Sequence, residues 1–319
     1  MRTILIYLSQ AVWARNLVTR FALARRVALR FVAGETLSDA INTVRGINAT
    51  GMLATVDLLG EHSHSAEAAK VATRHITDAV SALAKNDLRA SISLKLTQIG
   101  LALDQDICAE NLRHILEIAK KNNIFVRVDM EDSANLAATL NLIEQMRAEG
   151  YSNIGAVIQS YLYRSDQDVS DLLQKEVTIR LVKGAYKESP EIAYPKKEEV
   201  DLAFDRQTAL MLDASLKNQD FPKQFPQVWP PLAAIGSHDE RRVQYALDYA
   251  DSIDLPKHLL EFQMLYGIRR DLQKQLVAKG FPVRVYVPFG EEWYPYFMRR
   301  LAERPANLWF FLSNLVRRN

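Results

Sequence analysis

Eight short apolar runs, separated by longer amphipathic stretches, constrain the fold of this 319-residue chain more than any other feature. The stretches between them carry the periodicity of helices, as in "CAENLRHILEIAKKNN" and "LAATLNLIEQMRAEG". Eight strands alternating with helices predict an α/β fold, a (βα)8 TIM-like barrel with an N-terminal helical extension. The runs occupy residues 52–61, 91–100, 124–132, 154–162, 178–186, 231–239, 259–267 and 283–290.

A Rossmann sheet has the same alternation, but it carries a G-x-G-x-x-G turn directly after a strand. No such motif follows any of the eight runs. The Pro-rich stretch "FPKQFPQVWPP" is typical of a surface excursion and not of a domain boundary. We therefore predict an N-terminal helical arm over residues 1–45 and a single barrel domain over residues 46–319, which includes a C-terminal helix.

Charge and cysteine content exclude several classes of protein. Lys and Arg number 40 against 38 Asp and Glu, so no strongly basic domain is available and we expect no nucleic-acid partner. The single cysteine, Cys108, excludes an internal disulfide framework and a cysteine-rich zinc site, and we interpret it as a structural thiol. No apolar run approaches the roughly 18 residues of a membrane span. We expect a cytoplasmic location, with a peripheral position at the inner face of the cytoplasmic membrane as a further possibility.

The N-terminal region is biased in charge. Residues 1–34 contain six arginines and no acidic residue. This composition is compatible with a packed helical extension, with an organelle transit peptide or with a helix at a membrane surface. The C-terminal stretch "NLWFFLSNLVRRN" is apolar with a basic end and is typical of a packed terminal helix, although it too could touch a membrane.

Polar side chains stand at or just beyond the end of every predicted strand. Active-site groups of (βα)8 barrels come from the carboxyl ends of the strands, whereas buried parallel strands are otherwise nearly continuous apolar runs. The set includes three cations, which predicts a ligand that carries negative charge. Its members are Glu61, Lys95, Thr97, Asp129, Glu131, Gln159, Arg180, Lys183, Ser237, His238, Gln263 and Tyr286.

Other chemistries fit parts of this set. His62 and His64 have a spacing that could ligate zinc, but no further ligands are evident and we predict no metal site. His238 and Asp239 could belong to a metallohydrolase, although no paired histidines follow another strand. Lys183 or Lys95 could form a Schiff base, as in an aldolase or another lyase. A non-catalytic amino-acid-binding barrel is a third possibility.

Several motifs together resemble one family. The stretches "DLLGE", "SLKLTQ", "RVDMED", "QSYLYR", "RLVKGAY", "EFQMLYG", "YVPFG" and "WYPYFMRRLAER" are similar to those of the monofunctional bacterial proline dehydrogenases and of the proline dehydrogenase domain of bifunctional proline-utilisation flavoproteins. They occur in the family's order. The resemblance implies a distorted (βα)8 barrel that binds FAD at the strand ends.

The implied reaction is the first step of proline degradation to glutamate. A hydride passes from C5 of L-proline to flavin N5, Δ1-pyrroline-5-carboxylate forms, and the electrons pass on to a membrane quinone. With the basic N-terminal region, the quinone implies peripheral contact with the inner face of the cytoplasmic membrane.

The resemblance also implies the residues that hold the cofactor. Arg180 would lie beside N5 and stabilise the reduced anionic ring, while Asp129 would help hold the substrate clamp and the network on the flavin side. Both are predicted to be catalytic. Gly184 would allow the backbone to approach the cofactor closely. "GSHD" stands where relatives commonly have Thr-His, and the serine keeps the hydroxyl. The predicted cofactor-binding residues are Met130, Gln159, Arg180, Val182, Lys183, Gly184, Ala185, Ser237, His238 and Gln263.

The substrate residues implied by the resemblance centre on the C-terminal helix. Tyr296, Arg299, Arg300 and Glu303 share one helical face, and the two arginines match a pair that clamps the proline carboxylate. Lys95 would add a third cation, Glu303 would orient the clamp, and Glu61 would pair with the first clamp arginine and gate the pocket. A smaller residue replaces the tyrosine at position 286 in relatives that prefer hydroxyproline. The wall around the ring would consist of Tyr186, Leu265 and Tyr286.

Overall fold

The computed structural model describes residues 28–60 and 62–303, without the side chains of residues 301–303. Eight parallel strands form a closed barrel in which each strand pairs with the next and the last pairs with the first. Each predicted run coincides with one strand, although β2 begins one residue before its run, and this confirms the predicted (βα)8 barrel. The strands are β1 (Leu53–Leu58), β2 (Ala90–Leu94), β3 (Val126–Val128), β4 (Ile154–Gln159), β5 (Thr178–Val182), β6 (Ala233–Gly236), β7 (Leu260–Leu265) and β8 (Val283–Phe289).

Helices follow the strands and cover the outside of the barrel. Ser65, Asp104 and Asp132 each accept a hydrogen bond from a backbone N–H in the first turn of the helix that follows, which defines where that helix begins. Short 3-10 helices span Leu96–Ile99, Phe221–Gln224 and Lys257–Leu259. The α-helices within the described residues are α1 (Leu37–Asn48), α2 (Ala66–Lys85), α3 (Gln105–Lys121), α4 (Ser133–Ala148), α5 (Ser165–Gln174), α6 (Lys197–Lys217), α7 (Glu240–Ser252), α8 (Arg270–Ala278) and α9 (Trp293–Glu303).

Alternate residues along each strand face the helices and the barrel interior. The outward residues are apolar and form the main core together with the helices. The inward residues are mostly polar and bond across the barrel in two layers. The lower layer, nearer the amino ends of the strands, comprises Thr55, Ser91, Glu261 and Arg284. The upper layer comprises Asp57, Ser93, Asp129, Arg180, Gln263 and Tyr286.

A buried ion pair dominates the lower layer. Arg284 Nε and Nη2 donate to the two carboxylate oxygens of Glu261 at 2.8 and 2.9 Å, and both side chains are 1% exposed. Desolvation costs several kcal/mol per ion, so such a pair persists only with good geometry and further hydrogen bonds. Arg284 Nη1 supplies these by donating to the carbonyl oxygen of Ala54 and to Ser91 Oγ. The Arg284–Glu261 pair therefore has the hydrogen bonds that a buried ion pair needs.

The Pro-rich excursion covers the amino end of the barrel. The ring of Trp229 lies 5.7 Å from that of Phe125 and stacks on that of Phe225 at 5.1 Å. The carbonyl oxygen of Val228 accepts a hydrogen bond from Arg284 Nη2 at 2.7 Å. These contacts join the excursion to the barrel interior, so it forms the floor of the barrel.

The chain before β1 packs on the barrel as well. Helix α1 lies against β1 and β8, and a second apolar cluster joins Ala28, Phe31 and Val32 to α9. The predicted boundary at residue 45 falls inside α1, and residues 1–27 lie outside the described part, so the extent of the arm stays a prediction. Among the helices described, none has the length and apolar character needed to cross a membrane.

Candidate active site

The carboxylate of Asp129, directly after β3, is the centre of a hydrogen-bond network at the carboxyl ends of the strands. Its Oδ1 accepts from Ser93 Oγ at 2.7 Å and from Arg180 Nη1 at 2.8 Å. Its Oδ2 accepts from the hydroxyl of Tyr286 at 2.7 Å. The predicted site residues Asp129, Arg180 and Tyr286 are thus brought into direct contact from three strands.

Lys95 is held by a carboxylate that the sequence analysis did not identify. Its Nζ lies 3.2 Å from both carboxylate oxygens of Asp57, which is 1% exposed, and 3.9 Å from Asp129 Oδ2. Burial raises the pKa of Asp57, while the charge of Lys95 acts in the opposite direction. Burial acts to lower the pKa of Lys95, but Asp57 and Asp129 together outweigh it and the pKa is raised. Lys95 is therefore charged at neutral pH, whereas a Schiff-base lysine must lose its proton.

Arg180 is held on three sides. Its Nε donates to Gln263 Oε1 at 2.5 Å, its Nη1 donates to Asp129, and its guanidinium carbon lies 5.2 Å from the centre of the Tyr286 ring. Its Nη2 is buried and has no hydrogen-bond partner among the residues described. A buried donor without an acceptor costs about 1–3 kcal/mol, so this nitrogen would gain from an acceptor supplied by a water or a ligand.

Gly184 lies against the ring of Tyr161, just after β5. A Cβ at this position would come within 2.4 Å of Tyr161 Cδ1, and the backbone φ of +110° is one that residues with side chains rarely adopt. The neighbouring Gln159 Oε1 is buried and lacks a hydrogen-bond partner within the described part of the chain. The Tyr161 ring thus occupies the space that a side chain at position 184 would need, while Gln159 Oε1 can still accept a hydrogen bond.

We expect Gly184→Ala to destabilise the protein by about 1–3 kcal/mol, because it adds a steric overlap to a strained backbone conformation. Gly150→Ala is the matched control, since Gly150 also has a positive φ of +91° but nothing lies within 4 Å of its added Cβ. Thermal unfolding of both variants measures the difference. Equal losses of stability in the two variants would show that Tyr161 does not disfavour a side chain at position 184.

Lys183 is the most strongly paired of the predicted cofactor residues. Its Nζ contacts the carboxylates of Asp201 and Asp239, the second at 2.6 Å. Lys197 also contacts Asp201 and lies 3.9 Å from Asp239. The ion pairs join the end of β5 to α6 and α7, so this side of the barrel opening is lined by alternating charges.

The remaining predicted cofactor residues surround the same opening. His238 Nε2 accepts a hydrogen bond from the backbone N–H of Leu265 at 2.9 Å, which places the imidazole between β6 and β7. Ser237 Oγ accepts from the backbone N–H of Asp239 at 3.1 Å. The others are Met130, which is buried, Val182, which is half-buried, and Ala185, which is exposed.

Helix α9 brings cations to the opening. Arg299 is exposed, and the guanidinium carbon of Arg300 lies 5.1 Å from the centre of the Tyr296 ring. Burial and the charge of Glu131 raise the pKa of Tyr186, while the positive charges of Lys95 and Arg299 act to lower it. Arg299, Lys95 and Tyr186 therefore lie close enough to interact electrostatically. Leu265 packs against the cluster that supports α9.

Two predicted residues lie outside what the structure describes. Glu61 is not described, and for Glu303 only the backbone at the end of α9 is described. Their roles as gate and as clamp-orienting acid stay predictions.

Thr97 and Glu131 bond to each other and not into the network around Asp129. The buried carboxylate of Glu131 accepts from the backbone N–H and the hydroxyl of Thr97, at 3.2 and 2.6 Å. His62 Nε2 lies 3.5 Å from the same carboxylate. Across residues 28–60 and 62–300, no group of three or more His, Cys, Asp or Glu side chains is arranged to hold a metal ion.

Burial raises the pKa of the Cys108 thiol in α3 to about 12.

The structure adds residues that sequence reasoning missed. Asp57, Ser93, Glu261 and Arg284 are polar residues inside strands. Each stands two or four positions before a predicted site residue, namely Glu61, Lys95, Gln263 and Tyr286. A signal was available, since each interrupts an apolar run on the same alternating face as a predicted site residue. Asp57 is the clearest case, a carboxylate within the apolar run "LATVDL".

The closed parallel barrel, with charged and polar side chains converging at the carboxyl ends of its strands, defines the class of (βα)8-barrel enzymes. Within that class, the sequence model of the family described as proline dehydrogenase matches residues 40–312. The chain therefore belongs to the proline dehydrogenase family, as its motifs predicted.

Individual relatives agree with this assignment. The chain is 38% identical over 321 residues to proline dehydrogenase 1 of Bacillus subtilis (strain 168), covering 100% of both chains. It is 36% identical over 295 residues to the proline dehydrogenase of Deinococcus radiodurans, covering 91% of this chain and 90% of the relative.

A solved structure of proline utilization A from Bdellovibrio bacteriovorus, inactivated by N-propargylglycine, superposes with a TM-score of 0.76 at 27% identity. The match covers 88% of this chain and 33% of that one, so this chain spans about a third of the length of that protein.

Proposed function

We propose that this enzyme oxidises L-proline to Δ1-pyrroline-5-carboxylate with FAD as the bound hydride acceptor. Carbon C5 loses a hydride and the ring nitrogen loses a proton, so that a C=N bond forms between them. The single observation that carries the proposal is the upper-layer network around Asp129, which presents the unpartnered Nη2 of Arg180 at the end of a barrel whose family oxidises proline.

The residues at the strand ends fit FAD. Arg180 Nη2 can donate to an acceptor atom and Gln159 Oε1 can accept from a donor atom, and an isoalloxazine ring offers both along its edge. Gly184 lets the backbone after β5 lie close to the Tyr161 ring at the same strand ends. Lys183 is a cation at the same opening, for which a phosphate would compete with the carboxylates of Asp201 and Asp239.

FAD, when bound, supplies the electron-accepting ring at N5. The protein then contributes a positive charge that is already in position, because Asp129 and Gln263 hold the Arg180 guanidinium before any ligand arrives. Preorganised charge of this kind needs no rearrangement as negative charge develops. The hydroxyl of Tyr286 stays protonated, since burial and the charge of Asp129 raise its pKa, and it remains a donor to Asp129.

The substrate carboxylate is bound from the other side of the opening. Arg299 and Arg300 present guanidinium groups from α9, and Lys95 presents an ammonium group that Asp57 keeps in place. Arginine suits this contact because its planar fork can bind a carboxylate through two parallel hydrogen bonds. The carboxylate would thus orient the proline ring between α9 and the upper layer.

Anaerobic titration with L-proline tests the proposal directly. The purified protein should be yellow, release FAD on denaturation, and lose its visible absorbance when proline is added without oxygen. Addition of a soluble quinone should restore the absorbance. A colourless protein would exclude flavin chemistry, while a yellow protein that proline does not bleach would favour a binding protein over an enzyme.

We also propose that the electrons pass to a quinone at the membrane and that the protein makes peripheral contact there. The support is the charge pattern of residues 1–34 and of the C-terminal stretch, most of which lie outside the described residues. Binding to vesicles that contain anionic lipid should fall as salt is added. Failure to sediment with vesicles in either redox state would contradict the contact.

We expect Tyr286→Ser to lower kcat/KM for proline and to narrow the preference for proline over 4-hydroxyproline. The tyrosine ring lies in the upper layer against Arg180, and a hydroxyl on the substrate ring would crowd it and lose hydration. Pocket changes of this size are typically worth about 1–3 kcal/mol. The measurement is kcat/KM for both substrates in the wild type and the variant. An unchanged ratio would remove Tyr286 from the substrate wall.

A further inference from the structure

We propose that Glu261, in the lower layer, is a positioning residue that fixes the orientation of the Gln263 carboxamide and, through it, the guanidinium of Arg180. The inference rests on the proposed function, in which Arg180 lies beside the cofactor. Glu261 itself lies below the site and contacts neither substrate nor cofactor in that scheme.

A continuous chain of hydrogen bonds joins the two layers. Gln263 Nε2 donates to Glu261 Oε1 at 2.5 Å, and Gln263 Oε1 accepts from Arg180 Nε at 2.5 Å. The three side chains are almost completely buried, with 1% of Glu261, 5% of Gln263 and 6% of Arg180 exposed. Little water can reach these bonds, so the partners within the barrel determine how the amide is oriented.

Only one orientation of the Gln263 carboxamide satisfies both Glu261 and Arg180. A carboxamide has one donor end and one acceptor end, a carboxylate only accepts, and a guanidinium only donates. Glu261 therefore requires the NH2 group of Gln263, and Arg180 requires its carbonyl oxygen. A neutral amide at position 261 could donate as well as accept, so the Gln263 amide could reverse and place its NH2 group against the Nε–H of Arg180.

Arg284 holds the charge of Glu261 from below. It donates two hydrogen bonds to the carboxylate, and its own Nη1 and Nη2 reach the backbone of β1 and the barrel floor. A purely structural role for Glu261, as the counter-ion of a buried arginine, would depend on this pair alone. A positioning role depends also on the bond to Gln263, and the two roles are separable by substitution.

A double-mutant cycle on the FAD-loaded enzyme tests the inference. Glu261→Gln should slow single-turnover reduction by proline about 10- to 100-fold, as misplacement of a reacting group does, and should change the midpoint potential, with the dissociation constant of proline unchanged. In a Gln263→Met background the same substitution should change the reduction rate less than about threefold, because there is no amide left to orient. Loss of the carboxylate charge acts in both backgrounds, so the difference between them reports orientation.

Two further variants separate positioning from folding. Arg284→Lys keeps the charge beside Glu261 but loses hydrogen bonds to the barrel floor, so it should lower the Tm and leave the midpoint potential unchanged. Glu261→Met with Arg284→Met replaces the ion pair by apolar side chains, which buried pairs often tolerate. It leaves the Gln263 NH2 group without its acceptor, so this variant should also reduce more slowly than the wild type.

Equal effects of Glu261→Gln in both backgrounds, or normal reduction in the double methionine variant, would overturn the positioning role. A wild-type protein that contains no FAD would instead overturn the proposed function itself. Wild-type bleaching by proline, together with a Glu261→Gln variant that reduces at the normal rate, would leave the proposed function standing and reject this inference alone.

Discussion

Arg180→Ala should retain the barrel but slow proline oxidation by about 10²–10³-fold, the loss that typically follows removal of one preorganised charge or donor at a reacting centre. It should also reduce FAD content or lower the reduction potential, because the side chain is the cation nearest the predicted position of N5. Asp129 would keep Ser93 and Tyr286 as donors, which is why we expect the fold to survive. Spectroelectrochemistry and the flavin-to-protein ratio measure the two effects.

Arg180→Lys is the informative companion. A lysine keeps the positive charge but cannot donate to Asp129, Gln263 and a ligand through one rigid planar fork. We expect an intermediate rate and a potential closer to the wild type than that of the alanine variant. An unchanged potential with full FAD occupancy in Arg180→Ala would contradict the placement of Arg180 beside the flavin.

Arg299→Lys and Arg300→Lys should each weaken proline binding by about 1.5–3 kcal/mol, the worth of a charge-assisted hydrogen bond, which corresponds to roughly tenfold to more than a hundredfold. Both residues lie on α9, and Arg299 is near enough to Tyr186 and Lys95 to affect the pKa of that tyrosine. The expected change is in KM for proline and in the dissociation constant from anaerobic titration, with the flavin potential unchanged.

Arg113→Lys is the matched control for the clamp variants. Arg113 also binds a carboxylate through two hydrogen bonds, at 2.7 and 2.9 Å to Glu149, but it does so on the outside of the barrel. This substitution should leave KM for proline at the wild-type value. Normal proline affinity in both clamp variants would refute the assignment of Arg299 and Arg300 to the substrate carboxylate.

The two sets of variants test different halves of the site. Substitution of Arg180 should change the flavin potential more than proline binding, while substitution of Arg299 or Arg300 should do the reverse. This division follows from the structure, because Arg180 belongs to the upper layer of the barrel and the clamp residues belong to α9 above it.

The burial of charged side chains inside the barrel costs free energy of folding. Arg127 is 1% exposed, and burial and the neighbouring charge of Arg180 push the pKa of its guanidinium well below the usual value. Its Nη1 donates to the carbonyl oxygens of Ala156 and Thr178, at 2.9 and 2.6 Å, which offsets part of the desolvation cost. Arg180 is held instead by Asp129 and Gln263, so Arg127 adds a like charge beneath it and not a partner.

The sequence by itself was sufficient for the fold and the family. Eight apolar runs separated by helical periods specify eight buried strands, and burial of parallel strands on both faces requires helices around a closed or doubly covered sheet. The motifs "RLVKGAY", "RVDMED" and "WYPYFMRRLAER" were specific enough to indicate the family. The strand-end rule also identified Asp129, Arg180, Gln263 and Tyr286, which the structure places in one network.

Only the tertiary structure decided which of these residues pair and what supports them. The bonds from Lys95 to Asp57 and from Gln263 to Glu261 depend on side chains that share the inward face of closed strands, and closure sets the register between β1 and β8. Period-two alternation indicates that a residue shares a face with its neighbours two positions away, but not which face is inward or what lies across the barrel. The distances across the closed barrel decide which partner each buried charge has. These distances depend on the whole sheet, so the sequence of a single strand does not reveal them.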